Sequence, residues 1–413
     1  LPEINDYASI VGEDVIDELY LLSERIRGMS IQNINSTSEG GGVAEILSRM
    51  LPLLRQLGLE ACWDVLKGDE AFFRITKKFH NALQGMNACV TKEELAYFLA
   101  VNRRNAEEID FYGDVIFVHD PQPIALIEKM TGKADRKCVW RCHVDLSKPQ
   151  MEVMDFLKSY IGKYDSVVIS SPKYSRGDIG VPQVIIPPSI DPLSEKNKDL
   201  SKTEISLVLD HFGIDEDRPI VTQVSRFDRF KNPCGVIDAY KKVKESTDLQ
   251  LVLAGGGATD DPEGPGILEQ LRCAVEYDSD INIIDLPPYS DLEINALQRA
   301  STVVLQCSSR EGFGLTVTEA LWKAKPVIAS AVGGIPLQIT HEHSGILTHS
   351  LDEAANYLKK LLNDPQYAMR LGMNGRDHVR NNFLITRHIR DCLVLFNSFH
   401  DHNAIKIPNC IRT

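Results

Sequence analysis

Short apolar runs of β type alternate with helical segments along almost the whole chain, and most runs end in a glycine or charged turn. That alternation limits the fold more than any other feature. Runs at 30–35, 60–65, 115–118, 137–141 and 166–169 are separated by segments of helical spacing, and a second series follows at 219–224, 249–254, 281–284, 302–305 and 326–329. Strand, turn and helix repeated in this way predict parallel sheets covered by helices, an α/β fold of two doubly wound, Rossmann-like domains. The first ~30 residues read as helix, with Val15, Ile16, Leu19, Leu22 and Ile26 at helix spacing. Near Ile185-Ile186-Pro187-Pro188 the chain turns proline-rich and then polar through Lys202, which predicts a domain junction. The expected domains are 1–195 and 196–383, with a C-terminal segment 384–413, amphipathic over 386–399, packing back on the first. Two such halves imply a cleft between them, with ligands at the carboxyl ends of the strands.

The bulk properties agree and exclude several functions. At 413 residues the chain is too long for one core and fits two domains. A hydrophobic content of 43% and a charged content of 25% describe a globular protein. The net charge of −13 argues against general binding to nucleic acid or anionic membranes. The nine cysteines show no C-x-x-C pairs. Cys62, Cys138, Cys273 and Cys392 sit in apolar surroundings and read as reduced, buried thiols of a cytoplasmic protein. No stretch is apolar and long enough to span a bilayer, and the start reads as carrying no signal peptide. A chain opening on Leu1 is expected to lack a few native residues.

The richest turn is Ser308-Ser309-Arg310-Glu311-Gly312-Phe313-Gly314-Leu315, which follows an apolar run and opens into a helix containing Glu319. Glycines let backbone N–H groups approach a ligand, and a helix start favours anions, so this turn suits a phosphate. Glu311 before it and Glu319 one turn inside the helix could hold the hydroxyls of an attached sugar or ribose. The plainer reading makes Glu319 a first-turn glutamate favoured by the helix dipole and Glu311 a solvated loop residue. The second turn is Ser225-Arg226-Phe227-Asp228-Arg229-Phe230-Lys231-Asn232-Pro233. Arg226 and Lys231 in a dry site would stabilise the charge that a diphosphate leaving group gains as its bond to carbon breaks. Arg226, Arg229 and Lys231 could equally be a solvated basic loop.

In the first half, Gly40-Gly41-Gly42 ends the first strand ahead of a helix, without dinucleotide or P-loop spacing. Trp140-Arg141-Cys142-His143-Val144-Asp145 and His119-Asp120-Pro121-Gln122 end two further strands. There His143, Asp145, Asp120 and Gln122 could line an acceptor pocket, against the plainer reading of structural turns. Gly255-Gly256-Gly257 reads as a turn allowing close approach, and Val332-Gly333-Gly334-Ile335-Pro336 as a simple turn.

With Glu311 and Glu319 in an E-x7-E element, the Arg226…Lys231 pair, the Gly41-Gly42 turn and His143, the chain resembles the retaining glycosyltransferases of family 4, which have the GT-B fold. More narrowly, residues 35–45, 140–145 and 225–231 resemble the trehalose glycosyltransferring synthases. The resemblance runs from about residue 30 to about 385. It implies transfer of glucose from a nucleoside-diphosphate glucose (UDP-, ADP- or GDP-glucose) to free glucose, giving α,α-trehalose, in a reversible reaction. It further implies that Arg226 and Lys231 grip the diphosphate and Glu319 the ribose. Glu311, with the backbone of Gly312, Phe313, Gly314 and Leu315, would meet the donor sugar. Gly41 and Gly42 would approach the phosphates, and His143 would contact the transferring sugar. Family members retain anomeric configuration by same-face attack, the leaving phosphate oxygen helping to deprotonate the acceptor, although the residues leave Glu311 open as a nucleophile. No cofactor is required and no Asp-x-Asp metal pair stands in a fitting place (Asp260 and Asp261 are adjacent and read as loop); Mg²⁺ is compatible with the diphosphate. Homodimerisation stays open. Two other readings remain: a different acceptor, a sugar phosphate or a glucan, for which Arg141 is one candidate anchor; and a non-catalytic sugar-nucleotide sensor.

Overall fold

The alternating runs form two six-stranded, wholly parallel sheets in a computed structural model that describes residues 1–39, 41–130, 136–256, 264–275 and 278–400. Gly40, Gly257, the Asp260-Asp261 pair and residues 401–413 lie outside the described residues. By contacts the chain forms two units, one of residues 1–39, 43–187 and 385–413, the other of 40–42 and 188–384.

The first sheet contains β1 (Ser30–Asn35), β2 (Glu60–Val65), β3 (Val115–His119), β4 (Lys137–Cys142), β5 (Ser166–Ile169) and β6 (Gln183–Ile185), in the order β2-β1-β3-β4-β5-β6. Helices cover both faces, so β1, β3 and β5 are buried along their whole length and β4 along all but its first residue. Ile34, Ile116, Val118, Trp140, Cys142, Val167 and Ile169 pack into one core with Phe72, Phe79 and Phe98. The opposite face carries Phe117, His119, Arg141 and Val168, and lines a pocket closed by Val43, Ile46, Leu47 and Met50 of one helix and by His388 and Cys392 of another.

The second sheet contains β7 (Ile220–Val224), β8 (Gln250–Gly255), β9 (Ile281–Asp285), β10 (Val303–Gln306), β11 (Val327–Ser330) and β12 (Ile346–Thr348), in the order β12-β11-β10-β7-β8-β9. The strand order reverses between β7 and β10. In open α/β sheets such a reversal opens a crevice at the carboxyl ends of the two strands, where ligands bind.

Five helices matter to the argument: α1 (Glu13–Glu24), α2 (Gly42–Gln56), α3 (Pro233–Lys244), α4 (Leu315–Trp322) and α5 (Ile385–His400). By contacts α5 groups with the first unit. Asn397 Nδ2 donates to the Leu22 carbonyl of α1 at 3.0 Å, Phe396 meets Phe117 edge-on, and Arg387 Nη2 donates to Pro187 O at 2.8 Å.

Three sequence expectations change. The segment from Pro188 to Glu195 belongs with the second unit, because Asn295 Nδ2 donates to the carbonyls of Glu195 and Lys198 at 2.8 Å each. The three-residue strands β6 and β12 were not foreseen. Among the cysteines, Cys138 and Cys392 are buried, whereas Cys62 is half-buried and Cys273 is exposed on its helix.

Gly255 and Gly256 permit the close approach expected of them: a Cβ on Gly255 would lie 1.7 Å from Ser225 O, and one on Gly256 2.4 Å from Leu286 O. Both obstacles are backbone. Gly255→Ala should therefore destabilise the protein by about 3 kcal/mol, read as a thermal midpoint lowered by roughly 6–12 °C; an unchanged midpoint would show that the Ser225 backbone yields at no cost.

Candidate active site

The two loops singled out in the second half leave β7 and β10, the strands that flank the reversal point. After β7, Asp228 Oδ1 accepts from the N–H groups of Phe230 at 2.8 Å and Lys231 at 3.1 Å, so the loop tightens into a 3₁₀ turn. Asn232 then takes a left-handed conformation (φ 50°) and caps α3 by accepting from Gly235 N, with Pro233 at the first helical position. This arrangement fixes the Lys231 backbone, whose carbonyl also accepts from Gln223 Nε2 at 2.8 Å.

The β10 loop is tied to it. Ser309 N donates to Phe230 O at 2.7 Å and Asn232 Nδ2 to Cys307 O at 3.2 Å. Between the loops, Lys231 Nζ meets Glu311 Oε2 at 2.5 Å, with only 16% and 7% of their side chains exposed. Ser308 Oγ lies 3.3 Å from the same carboxylate oxygen. Gly314 begins α4 in the left-handed region (φ 88°), and a Cβ there would crowd the Glu311 side chain at 3.2 Å. The turn after β11 is more than a simple turn. Gly334 N donates to Gly312 O at 3.2 Å, a Cβ on Gly334 would lie 2.8 Å from that oxygen, and Gln338 Nε2 holds Phe313 O at 2.5 Å.

Arg226 is more open, with 37% of its side chain exposed and a loose pairing to Asp228 at 3.6 Å. Arg229 is exposed, as the solvated reading of this loop would have it. Glu319 is not a solvated first-turn glutamate: it is 1% exposed and pairs with Lys196 Nζ at 3.2 Å. Sequence reasoning missed Lys196, which sits in a polar connecting segment with no motif. The same segment is fastened to α4 by Lys323 Nζ, which donates to Asn197 Oδ1 at 2.9 Å and Gln298 Oε1 at 2.8 Å. Gly41 (φ 79°) and Gly42 group by contacts with this second unit, and a Cβ on Gly42 would lie 2.8 Å from Leu315 Cδ1.

In the first unit, the residues expected at an acceptor gather at the ends of β3 and β4. Asp120 adopts a left-handed conformation (φ 64°), its Oδ1 accepting from His143 N at 2.8 Å and its carbonyl from Trp140 Nε1 at 2.9 Å. His143 Nε2 lies 3.1 Å from His119 Nδ1 with the rings stacked, and His119 Nε2 lies 3.0 Å from Asn33 Oδ1. Asp145 closes a local turn by accepting from Ser147 N at 2.8 Å. Gln122 is held through its carbonyl by Asn102 Nδ2 at 3.1 Å, while its buried Oε1 has no hydrogen-bond partner among the described residues.

Arg141 is 2% exposed and points into the pocket, its Nη1 and Nη2 without hydrogen-bond partners among the described residues. Its charge acts on its neighbours. Burial, reinforced by Arg141, lowers the His119 pKa to about 3 and pushes His143 and His388 well below the ordinary imidazole range. Burial raises the Asp120 carboxyl to about 6. Among the described residues no group of three or more His, Cys, Asp or Glu side chains is arranged to hold a metal, and no helix is long and apolar enough to cross a membrane.

Comparison with known proteins now decides the family. Residues 33–176 match the family described as trehalose synthase, N-terminal domain, and residues 209–378 match glycosyl transferases group 1. A trehalose synthase of Pyrococcus horikoshii is 46% identical over 401 residues, covering 96% of each chain. The chain belongs to the trehalose synthase family. It is a glycosyltransferase, and its fold is GT-B. A solved α,α-trehalose 6-phosphate synthase from Burkholderia multivorans superposes with a TM-score of 0.71 at 16% identity, covering 89% of this chain and 98% of its own. The Anabaena HepE protein, solved with UDP-glucose, superposes with a TM-score of 0.67 at 18% identity, covering 90% and 99%. At those identities the likeness bears on fold alone.

The neutral imidazoles give this trehalose synthase relative a pH signature. Unfolded histidines take up protons as the pH drops below about 6.5, while the folded ones resist, so the unfolded state gains protons and stability falls. Each imidazole that stays neutral removes up to about 1.4 kcal/mol per pH unit in that window, down to about pH 3 for His119. Asp120, with its raised pKa, gains a proton on the folded side below about pH 6 and offsets part of the loss. Urea midpoints at pH 7 and pH 5 should differ less in His119→Phe than in the unaltered protein. Equal differences would mean that His119 titrates normally in the fold.

Proposed function

We propose that the protein transfers glucose from a nucleoside-diphosphate glucose to free glucose, with retention, forming α,α-trehalose in a reversible reaction. The observation that carries this reading is the Lys231–Glu311 ion pair at the reversal point of the second sheet, beside Arg226 and the glycine turn that opens α4. An ammonium has three protons to donate, so Lys231 can keep Glu311 while turning another donor to a phosphate oxygen. Held in place before the ligand arrives, it needs little reorganisation as charge develops on the leaving diphosphate. Arg226, more exposed, supplies the second cation and reads as the group that meets the diphosphate first.

Glu319 would take the ribose hydroxyls, its buried carboxylate paired with Lys196. Gly312, Phe313, Gly314 and Leu315 would present backbone to the donor, and Gly41 and Gly42 would approach the phosphates. His143, Asp120, Asp145 and Gln122 would serve the sugars. A nucleoside-diphosphate donor is supported by the resemblance of the fold to the UDP-glucose complex of HepE, and a trehalose product by the family. Because Lys231 and Ser308 engage Glu311 Oε2, same-face attack fits better than a Glu311 nucleophile, with a phosphate oxygen taking the acceptor proton. No resident metal is proposed; Mg²⁺ would arrive with the diphosphate. The free thiols are compatible with a reducing, cytoplasmic setting.

Incubating the enzyme with UDP-, ADP- and GDP-glucose and unlabelled glucose, then identifying the disaccharide by NMR, tests donor, acceptor and anomeric outcome together. α,α-Trehalose from at least one donor is expected; a different linkage or free glucose alone would overturn the proposal. Lys231→Gln keeps a hydrogen-bonding group beside Glu311 but removes the charge, and should lower kcat by about 10²–10³, measured below a thermal midpoint that falls because Glu311 is left buried without its counter-charge. A loss under tenfold would remove Lys231 from leaving-group stabilisation. Glu319→Gln, chosen so that the buried site keeps its shape, should raise the donor KM more than it lowers kcat. An unchanged donor KM would remove the ribose role.

A further inference from the structure

The hydrogen bonds of the first unit fix a proton arrangement that distances alone do not state. Asn33 Nδ2 faces the Cys62 carbonyl at 3.4 Å, an acceptor, so the amide cannot turn over without setting two oxygens against each other. Asn33 Oδ1 therefore faces His119 Nε2, and that nitrogen must carry the proton and donate. A neutral His119 then has a bare Nδ1, which can only accept. Its partner, His143 Nε2, must in turn be the donor. The chain ends on His143 Nδ1, left as a lone pair.

We infer that Asn33 and His119 are positioning residues that lock His143 in its Nε2–H tautomer, so that His143 Nδ1 meets a sugar hydroxyl as a hydrogen-bond acceptor. This rests on the reading above that His143 contacts the sugar. The ring has little freedom to escape: Asp120 Oδ1 holds its backbone N–H at 2.8 Å, the His119 ring stacks on it, and Asn33 and His119 are 2% and 5% exposed. The buried guanidinium of Arg141 lines the same pocket and opposes protonation of either imidazole, which would place a donor where the relay needs an acceptor. A neutral His143 accepting from a hydroxyl draws electron density toward that oxygen and orients the sugar without introducing charge.

The test uses the full-length protein with ¹⁵N-labelled histidine, the His143 signals being identified by their loss in His143→Asn. In the unaltered protein the proton should sit on Nε2, with Nδ1 bare, from pH 8 down to pH 5. Asn33→Leu and His119→Phe should each allow the Nδ1–H form of His143 and lower kcat at least about tenfold, within the range that small misplacements of reacting groups produce, while the donor KM stays within about threefold. A proton on His143 Nδ1 in the unaltered protein overturns the inference even if neither variant folds. So does full activity in both variants when His143→Ala is inactive. If His143→Ala itself transfers glucose at the normal rate, the sugar contact is lost from the functional reading, and the spectrum alone then decides the relay.

Discussion

One buried ion pair joins the two loops proposed to bind the donor. Lys231 and Glu311 come from opposite sides of the strand reversal, and their contact at 2.5 Å ties the turn after β7 to the turn after β10. Everything around the pair serves to hold it. Asp228 fixes the Lys231 backbone from below, Asn232 caps the following helix, and the turn after β11 presses Gly334 against the Glu311 loop. A buried pair of this kind contributes little net stability, because desolvating two charges costs about as much as their attraction returns. Its value lies in geometry: a cation already desolvated and aimed can answer a developing phosphate charge without rearranging.

The first unit solves a different electrostatic problem. Its pocket is lined by Arg141 and three imidazoles, and burial, with the charge of Arg141 and, at His388, that of Arg387, keeps the imidazoles neutral. On the proposed reading, Arg226 and Lys231 stand where a diphosphate would bind, while His143, proposed to face the sugar, is held as an uncharged hydrogen-bonding group. That division matches a transfer between an anionic donor and a neutral acceptor.

Much of this was legible in the sequence. Buried parallel strands are short apolar runs, and ten of the twelve stand out because a helix or polar turn bounds them. β6 and β12 did not: each has three residues at a sheet edge, and the first runs directly into the proline-rich junction. The loops carrying Arg226, Lys231, Glu311 and Glu319 were recognisable because glycines and charges at strand ends are rarely needed for packing. The partners of those residues were not. Lys196 lies in a connecting segment where lysine is ordinarily solvated, and only the fold buries it against Glu319. Asn33 sits inside a strand, away from the glycine and charged turns that mark the other candidate residues. Arg141 read as one candidate anchor for a phosphorylated acceptor, and only the fold shows it buried among imidazoles.

The most direct measurement is a double-mutant cycle on binding of a nucleoside diphosphate by calorimetry, using the unaltered protein, Lys231→Met, Glu311→Gln and the combined variant. If Glu311 holds Lys231 in position for the diphosphate, the two losses should be strongly non-additive, with a coupling of at least about 1 kcal/mol. Additive losses would mean that the ion pair is incidental to diphosphate binding.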